Sequence, residues 1–196
     1  SHASQSALSC LCFSVGTKEN CLINSSITSI LLKGVPFDRI EAKEIVEQIE
    51  AKNKCKIKLP TWFNTPQIYY PNKLNIEQTS SEITAQYKLE ILQGNSIIDL
   101  TGGFGVDCYY FAKQFKVVTH CEIDTELSQI VNLNYKQLGI NNIKTRNVNG
   151  LEALNSSDNT YDWIYVDPSR RHESKGKVFY LNDCLPNVDS NSVDLI

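Results

Sequence analysis

Methionine is wholly absent from this sequence, and histidine occurs only as His2, His120 and His172. With so few histidines, this widely spread, a zinc centre would need an unusual ligand set. The seven cysteines, Cys10, Cys12, Cys21, Cys55, Cys108, Cys121 and Cys184, form no C-x-x-C pair and are odd in number. They read as reduced thiols, and no metal is expected. No apolar run approaches a membrane span. The apolar stretch 7–15 has no basic flank before it, so it does not read as a signal peptide, and the expected location is cytoplasmic. Asn24-Ser25-Ser26 and Asn155-Ser156-Ser157 are accordingly discounted as glycosylation sites. A net charge of −3 advertises no global affinity for nucleic acid, so any such surface must be local.

What is present is a chain of 196 residues, 41% apolar, long enough to bury a core. Residues 1–32 lack periodicity and read as a tag remnant, Ser1-His2-Ala3-Ser4, with a poorly ordered arm. Over 40–53, Ile40, Ile45, Val46 and Ile49 recur among polar residues, which predicts an amphipathic helix. A basic run with Lys52, Lys54, Lys56 and Lys58 follows, then Pro60, Trp62, Phe63, Tyr69, Tyr70 and Pro71. Lysines neutralise phosphates and exposed aromatic faces stack on unpaired bases, which makes Lys54, Lys56 and Lys58 candidate RNA contacts. The alternative is a solvated helix end followed by a linker whose aromatics pack on the core. Residues 33–71 are thus expected to form a helical region with a basic-aromatic joint.

Thr79-Ser80-Ser81-Glu82 has the capping-box pattern, with Thr79 as cap, and a helix should run from there to Leu92 before Gly94-Asn95. Beyond it the chain alternates. Strands are predicted at 96–100, 116–121, 143–146 and 163–166, and helices at 106–113 and 126–138, with Gly139 stopping the last. That order implies an α/β fold with a Rossmann-like, mostly parallel sheet. Residues 192–196 read as the start of a fifth strand, and the sheet is expected to be incomplete.

Parallel sheets bind ligands outside the carboxyl ends of their strands, where connections diverge. Asp99, Glu122, Asn149 and Asp167 fall at such ends. Between the first two lies Thr101-Gly102-Gly103-Phe104-Gly105-Val106-Asp107, in which Gly103 and Gly105 would let backbone amides approach a ligand. Glu122, 20 positions after Gly102, can accept two hydrogen bonds from a ribose diol. An NAD site competes, because Gly103-Phe104-Gly105 begins like G-x-G-x-x-G. Two details oppose it. Cys108 stands where a third small glycine would pack, and Asp99 would face a pyrophosphate badly but suits a cationic amino-acid moiety.

With these residues the sequence resembles class I S-adenosylmethionine (SAM)-dependent methyltransferases, whose first motif is matched by residues 99–105. The resemblance implies that Asp99, Thr101, Gly102, Gly103, Gly105, Asp107, Glu122, Ile123 and Asn149 bind the cofactor, with Ile123 against adenine. Leu59-Pro60-Thr61-Trp62, Glu77-Gln78-Thr79-Ser80-Ser81-Glu82, residues 99–108 and Asp167-Pro168-Ser169-Arg170-Arg171 together look like the bacterial class I methyltransferases that carry a THUMP-like C-terminal domain. That likeness covers roughly 36–188 and implies a longer protein, an RNA substrate, and a methyltransferase domain over 72–196.

In amino-group methyltransferases acting on nucleic acids, the catalytic loop commonly reads Asp/Asn-Pro-Pro-aromatic. Here Asp167 and Pro168 match, while Ser169 and Arg170 depart, which puts amine chemistry in question. Arg170 and Arg171 can still stack on a base or clamp a phosphate. A pyrimidine carbon as acceptor would call for a covalent cysteine, and Cys184 is the one cysteine downstream of the loop, but the favoured reading of it is a buried structural thiol. An NAD-dependent oxidoreductase and a non-catalytic RNA-binding module remain the alternatives.

Overall fold

The computed structural model describes residues 42–156, 160–167, 171–172 and 176–177. Among the described residues, four helices precede the sheet: α1 (Ala42–Lys58), α2 (Pro60–Asn64), α3 (Lys73–Gln78) and α4 (Glu82–Ile91). The sheet domain follows as β1 (Ser96–Asp99), α5 (Val106–Phe111), β2 (Val117–Glu122), α6 (Thr125–Gln137), β3 (Ile143–Asn147), α7 (Gly150–Asn155) and β4 (Trp163–Tyr165). Two-residue strands β5 (Arg171–His172) and β6 (Gly176–Lys177) pair antiparallel.

All four longer strands are parallel, in the order β3-β2-β1-β4. The chain steps outward from β1 to β3 and then returns to the other side of β1. The connections therefore diverge between β1 and β4, where an open parallel sheet has its crevice. Ile97 and Ile98 are fully buried on opposite faces of β1, each packing into a different apolar cluster.

The larger cluster is continuous with the N-terminal helices. Cys55, Leu59, Trp62, Tyr70 and Ile76 pack in the same buried body as Ile97, Phe104, Val106 and Phe111. Trp62 has its ring centroid 4.9 Å from Tyr109 and 6.1 Å from Phe104. Pro60 starts α2 at a position where its missing N–H costs nothing.

Of the two readings of the basic-aromatic joint, burial favours aromatics packed on the core over an exposed stacking surface. Trp62 and Tyr70 are core residues, and the Tyr70 hydroxyl donates to the Trp62 carbonyl at 3.0 Å. Helix α1 runs through the lysine run instead of ending before it, so its lysines project by helical period. Lys58 Nζ donates to the carbonyls of Ile76 and Glu77, both at 2.9 Å, and its partial desolvation lowers its pKa. Lys54 pairs with Glu77 at 3.3 Å. Both serve to hold α3; Lys56 is exposed.

The expected capping box is also corrected. Ser81, not Thr79, caps α4 by accepting from the Thr84 amide at 3.1 Å. Glu82 turns inward instead of reaching back. Its buried carboxylate accepts from the Thr61 amide and hydroxyl, each at 2.6 Å, and from the Tyr110 hydroxyl at 2.8 Å. One acid thereby joins α2, α4 and α5. The expected fifth strand at 192–196, Cys184, Pro168, Ser169 and Arg170 lie outside the described residues.

Candidate functional site

Strand β1 ends on Asp99, which is only 1% exposed. One carboxylate oxygen accepts from the Thr101 amide at 2.8 Å and hydroxyl at 3.2 Å, and the other accepts from the Cys108 thiol at 3.4 Å. Burial pushes its pKa up to about 7, against the opposing pull of the Thr101 amide. Asp99 thus lies beneath the glycine turn as its anchor, not on its surface.

The three glycines of the turn differ in what they face. A methyl group on Gly102 would fall inside the His120 ring, and one on Gly105 would strike the Tyr135 hydroxyl. These two are therefore glycine for packing, and Gly105 is not an open ligand approach. Gly103 has φ of +53°, and a methyl there would meet nothing nearer than the Thr101 carbonyl at 3.7 Å. Only Gly103 of the three combines left-handed backbone with open space, the combination that lets a ligand approach the main chain.

The Gly103 amide donates to Glu122 at 3.0 Å, and the other Glu122 oxygen accepts from the Asp124 amide at 2.8 Å. Desolvation raises the Glu122 pKa while these two amides oppose it. Asn147 holds the bend after β2 by donating to the carbonyls of Glu122 and Ile123 at 2.9 and 3.1 Å. Ile123 consequently stands out at the tip, 69% exposed. Asn149 caps α7, its side-chain oxygen accepting from the Leu151 amide at 2.9 Å and the Glu152 amide at 3.5 Å.

His120, one of the three histidines, is fully buried below Gly102. Its Nε2 lies 3.2 Å from the Gly103 carbonyl, its Nδ1 has no partner, and burial lowers its pKa to about 4. A neutral ring bearing its proton on Nε2 fits this environment.

On the β4 side, the Leu100 amide donates to the Tyr165 carbonyl at 3.0 Å and the Asp167 amide donates to the Thr101 hydroxyl at 2.7 Å. Thr101 donates in turn to Asp99, so the ends of β1 and β4 are tied through one hydroxyl. Asp167 is exposed at the rim. Asp107 does not face outward alone: Lys88 reaches its carboxylate at 3.1 Å, and the Ser80 hydroxyl donates to it at 2.8 Å.

Asp99, Thr101, Gly102, Gly103, Glu122 and Asp167 thus converge on one end of the sheet, with Asp107 behind the turn and Asn149 at the start of α7. Lys54 and Lys58 are engaged with α3. Lys88, Ser80 and Tyr165 escape sequence reasoning, since nothing local marks a lysine in mid-helix as a crevice residue. Among the described residues, no cluster of His, Cys, Asp and Glu has metal-site geometry. No described helix is long and apolar enough to cross a membrane.

No family model and no curated protein matches the sequence. Among solved structures, "putative methyltransferase from Porphyromonas gingivalis W83" superimposes with a TM-score of 0.73 at 26% identity, covering 90% of this chain and 44% of that one. Trm5b from Pyrococcus abyssi gives 0.40 at 19% identity over 56% of this chain and 31% of its own. Coclaurine N-methyltransferase, bound to N-methylheliamine and S-adenosylhomocysteine (SAH), gives 0.39 at 16% identity over 83% and 54%. This chain spans less than half the length of the Porphyromonas protein. The described chain has an α/β, Rossmann-like parallel-sheet fold of the methyltransferase type.

Proposed function

We propose that this chain binds S-adenosylmethionine at the β1/β4 switch point and directs its methyl group to a nucleotide of RNA. The observation that carries the cofactor is the turn itself. Its one open, left-handed glycine, Gly103, stands beside the Glu122 carboxylate, to which its amide donates at 3.0 Å. A turn meant for a pyrophosphate would present its amides free. The Glu122 carboxylate at the end of β2 suits a ligand with a ribose diol. The Porphyromonas likeness supports the same reading.

When bound, the cofactor supplies a methyl group on a sulfonium, so transfer requires an acceptor lone pair in line with the breaking carbon–sulfur bond. Glu122 holds the ribose hydroxyls, Ile123 covers the adenine, and Gly103 admits the amino-acid end against the main chain. Asn149 keeps its side-chain amide free to donate while its oxygen caps α7. Asp167, anchored by its amide, meets the acceptor at the rim. The RNA assignment is supported by the motif likeness at residues 59–62, 77–82 and 167–171, with Arg170 and Arg171 as the acceptor-side cations.

Calorimetric titration with SAH tests the cofactor. Saturable heat is expected from the wild-type protein, and Gly103→Arg should abolish it by filling the open face. Quenching by NADH without any response to SAH would instead favour a dinucleotide oxidoreductase. RNA affinity without cofactor uptake would point to a non-catalytic module.

A further inference from the structure

A lysine on α4, outside every strand-end motif, is built into the crevice. Lys88 Nζ donates to the Ser80 hydroxyl at 2.9 Å, to Asp107 at 3.1 Å and to the Tyr165 hydroxyl. That uses all three N–H groups of the ammonium. Ser80 donates onward to the second Asp107 oxygen at 2.8 Å, and Tyr165 approaches the same atom at 3.4 Å. The ammonium also lies 5.0 Å from the Tyr165 ring centroid. The side chains of Lys88 and Asp107 are 24% and 12% exposed, so this is a half-buried network built on one cation.

Its position gives it a consequence for chemistry. Tyr165 is the last residue of β4, two before Asp167, and Lys88 Nζ lies 3.9 Å from an Asp167 carboxylate oxygen. The Thr101 hydroxyl accepts from the Asp167 amide at 2.7 Å. Asp167 is therefore fixed by its amide, by the grip on Tyr165 and by a cation at its flank, while its side chain stays 59% exposed. The same cation separates two carboxylates, Asp107 and Asp167, that would otherwise repel each other at the rim. An apolar cluster could hold α4, α5 and β4 together without the desolvation cost of a buried ion pair.

We propose that Lys88 is a positioning residue of the crevice. Through Asp107 and Tyr165 it sets the end of β4, and it holds the Asp167 carboxylate where an acceptor must meet it. This rests on the reading of Asp167 as the acceptor-side acid. Misplacing such a group by about 1 Å can cost on the order of a hundredfold in rate.

The test separates positioning from folding. Lys88→Met alone leaves the half-buried Asp107 carboxylate without its cation and is expected to melt early. Lys88→Met/Asp107→Asn removes both charges and should restore the melting temperature. In this folded double variant, deuterium uptake over residues 163–167 should be at least tenfold faster than in wild type, with uptake in β2 unchanged. Methyl transfer from labelled SAM to RNA of cells lacking the gene should fall at least tenfold in kcat. The same pair of changes should have no further effect in an Asp167→Asn background. Unchanged uptake over 163–167 in the folded double variant would overturn the proposal, as would a full additional loss on top of Asp167→Asn. If the wild-type protein methylates no RNA, the proposed substrate fails, and the deuterium result still decides the role of Lys88.

Discussion

Replacing Asp99 with asparagine should make the protein more stable, by an amount that depends on pH. In the fold, Asp99 is buried and its pKa is raised from 3.8 to about 7. The unfolded chain ionises it near 3.8, so between those values the folded state holds a proton that the unfolded state has lost. Stability from this group is complete below pH 3.8 and is lost as pH rises through 7. Each pKa unit corresponds to about 1.4 kcal/mol, so the loss approaches about 4 kcal/mol above pH 7. Asparagine keeps the oxygen that accepts from Thr101 and presents an amide to the Cys108 sulfur, so the geometry survives. Urea unfolding of both proteins between pH 5 and 8 measures the difference. The advantage of Asp99→Asn should widen by about 2–3 kcal/mol over that range and level off above pH 7. His120, held near 4 by burial, acts in the opposite sense between pH 4 and 6.5 and flattens the wild-type profile, but it is common to both proteins and cancels in the difference. A difference that stays constant with pH would mean that Asp99 ionises freely in the fold, and its role as a desolvated anchor would be wrong.

Glu82→Ala should cost about 2–4 kcal/mol in urea unfolding, because it leaves the buried Thr61 amide and Tyr110 hydroxyl without their charged acceptor; Glu82→Gln should cost less. Gly102→Ala must displace the His120 ring and should lose about 2–3 kcal/mol, whereas Gly103→Ala pays only for left-handed backbone, about 1–2 kcal/mol. Equal melting temperatures for these two alanine variants would contradict the division of the turn into packing and open glycines. Cys55, Cys108 and Cys121 are buried, with pKa values pushed up to about 12, well above 9 and to about 11, so none should react with a thiol reagent at pH 8 until urea unfolds the chain. Rapid labelling of any of the three in the native protein, followed by peptide mapping, would show that the core opens there.

Local pattern alone located the parallel sheet and the turn. Short apolar runs closed by acids can be read one strand at a time, because a strand's burial is written in its own few residues and a glycine turn in its own spacing. The strands at 96–99, 117–122, 143–147 and 163–165 fall within a residue or so of those expectations. The short helices α2, α3 and α7 did not announce themselves, since five or six residues carry too little periodicity to be seen. Only the tertiary structure decided how each polar residue is used. Trp62 could not be distinguished from a stacking aromatic until Tyr109 and Phe104 closed on it. Glu82 looked like a cap until Thr61 and Tyr110 arrived as donors, 21 and 28 residues away. Lys88 meets Tyr165 across 77 residues because the strand order sets β4 beside β1, and no local window holds that fact. Hydrophobic period is a property of neighbours along the chain, whereas the partner of a buried charge is chosen by topology.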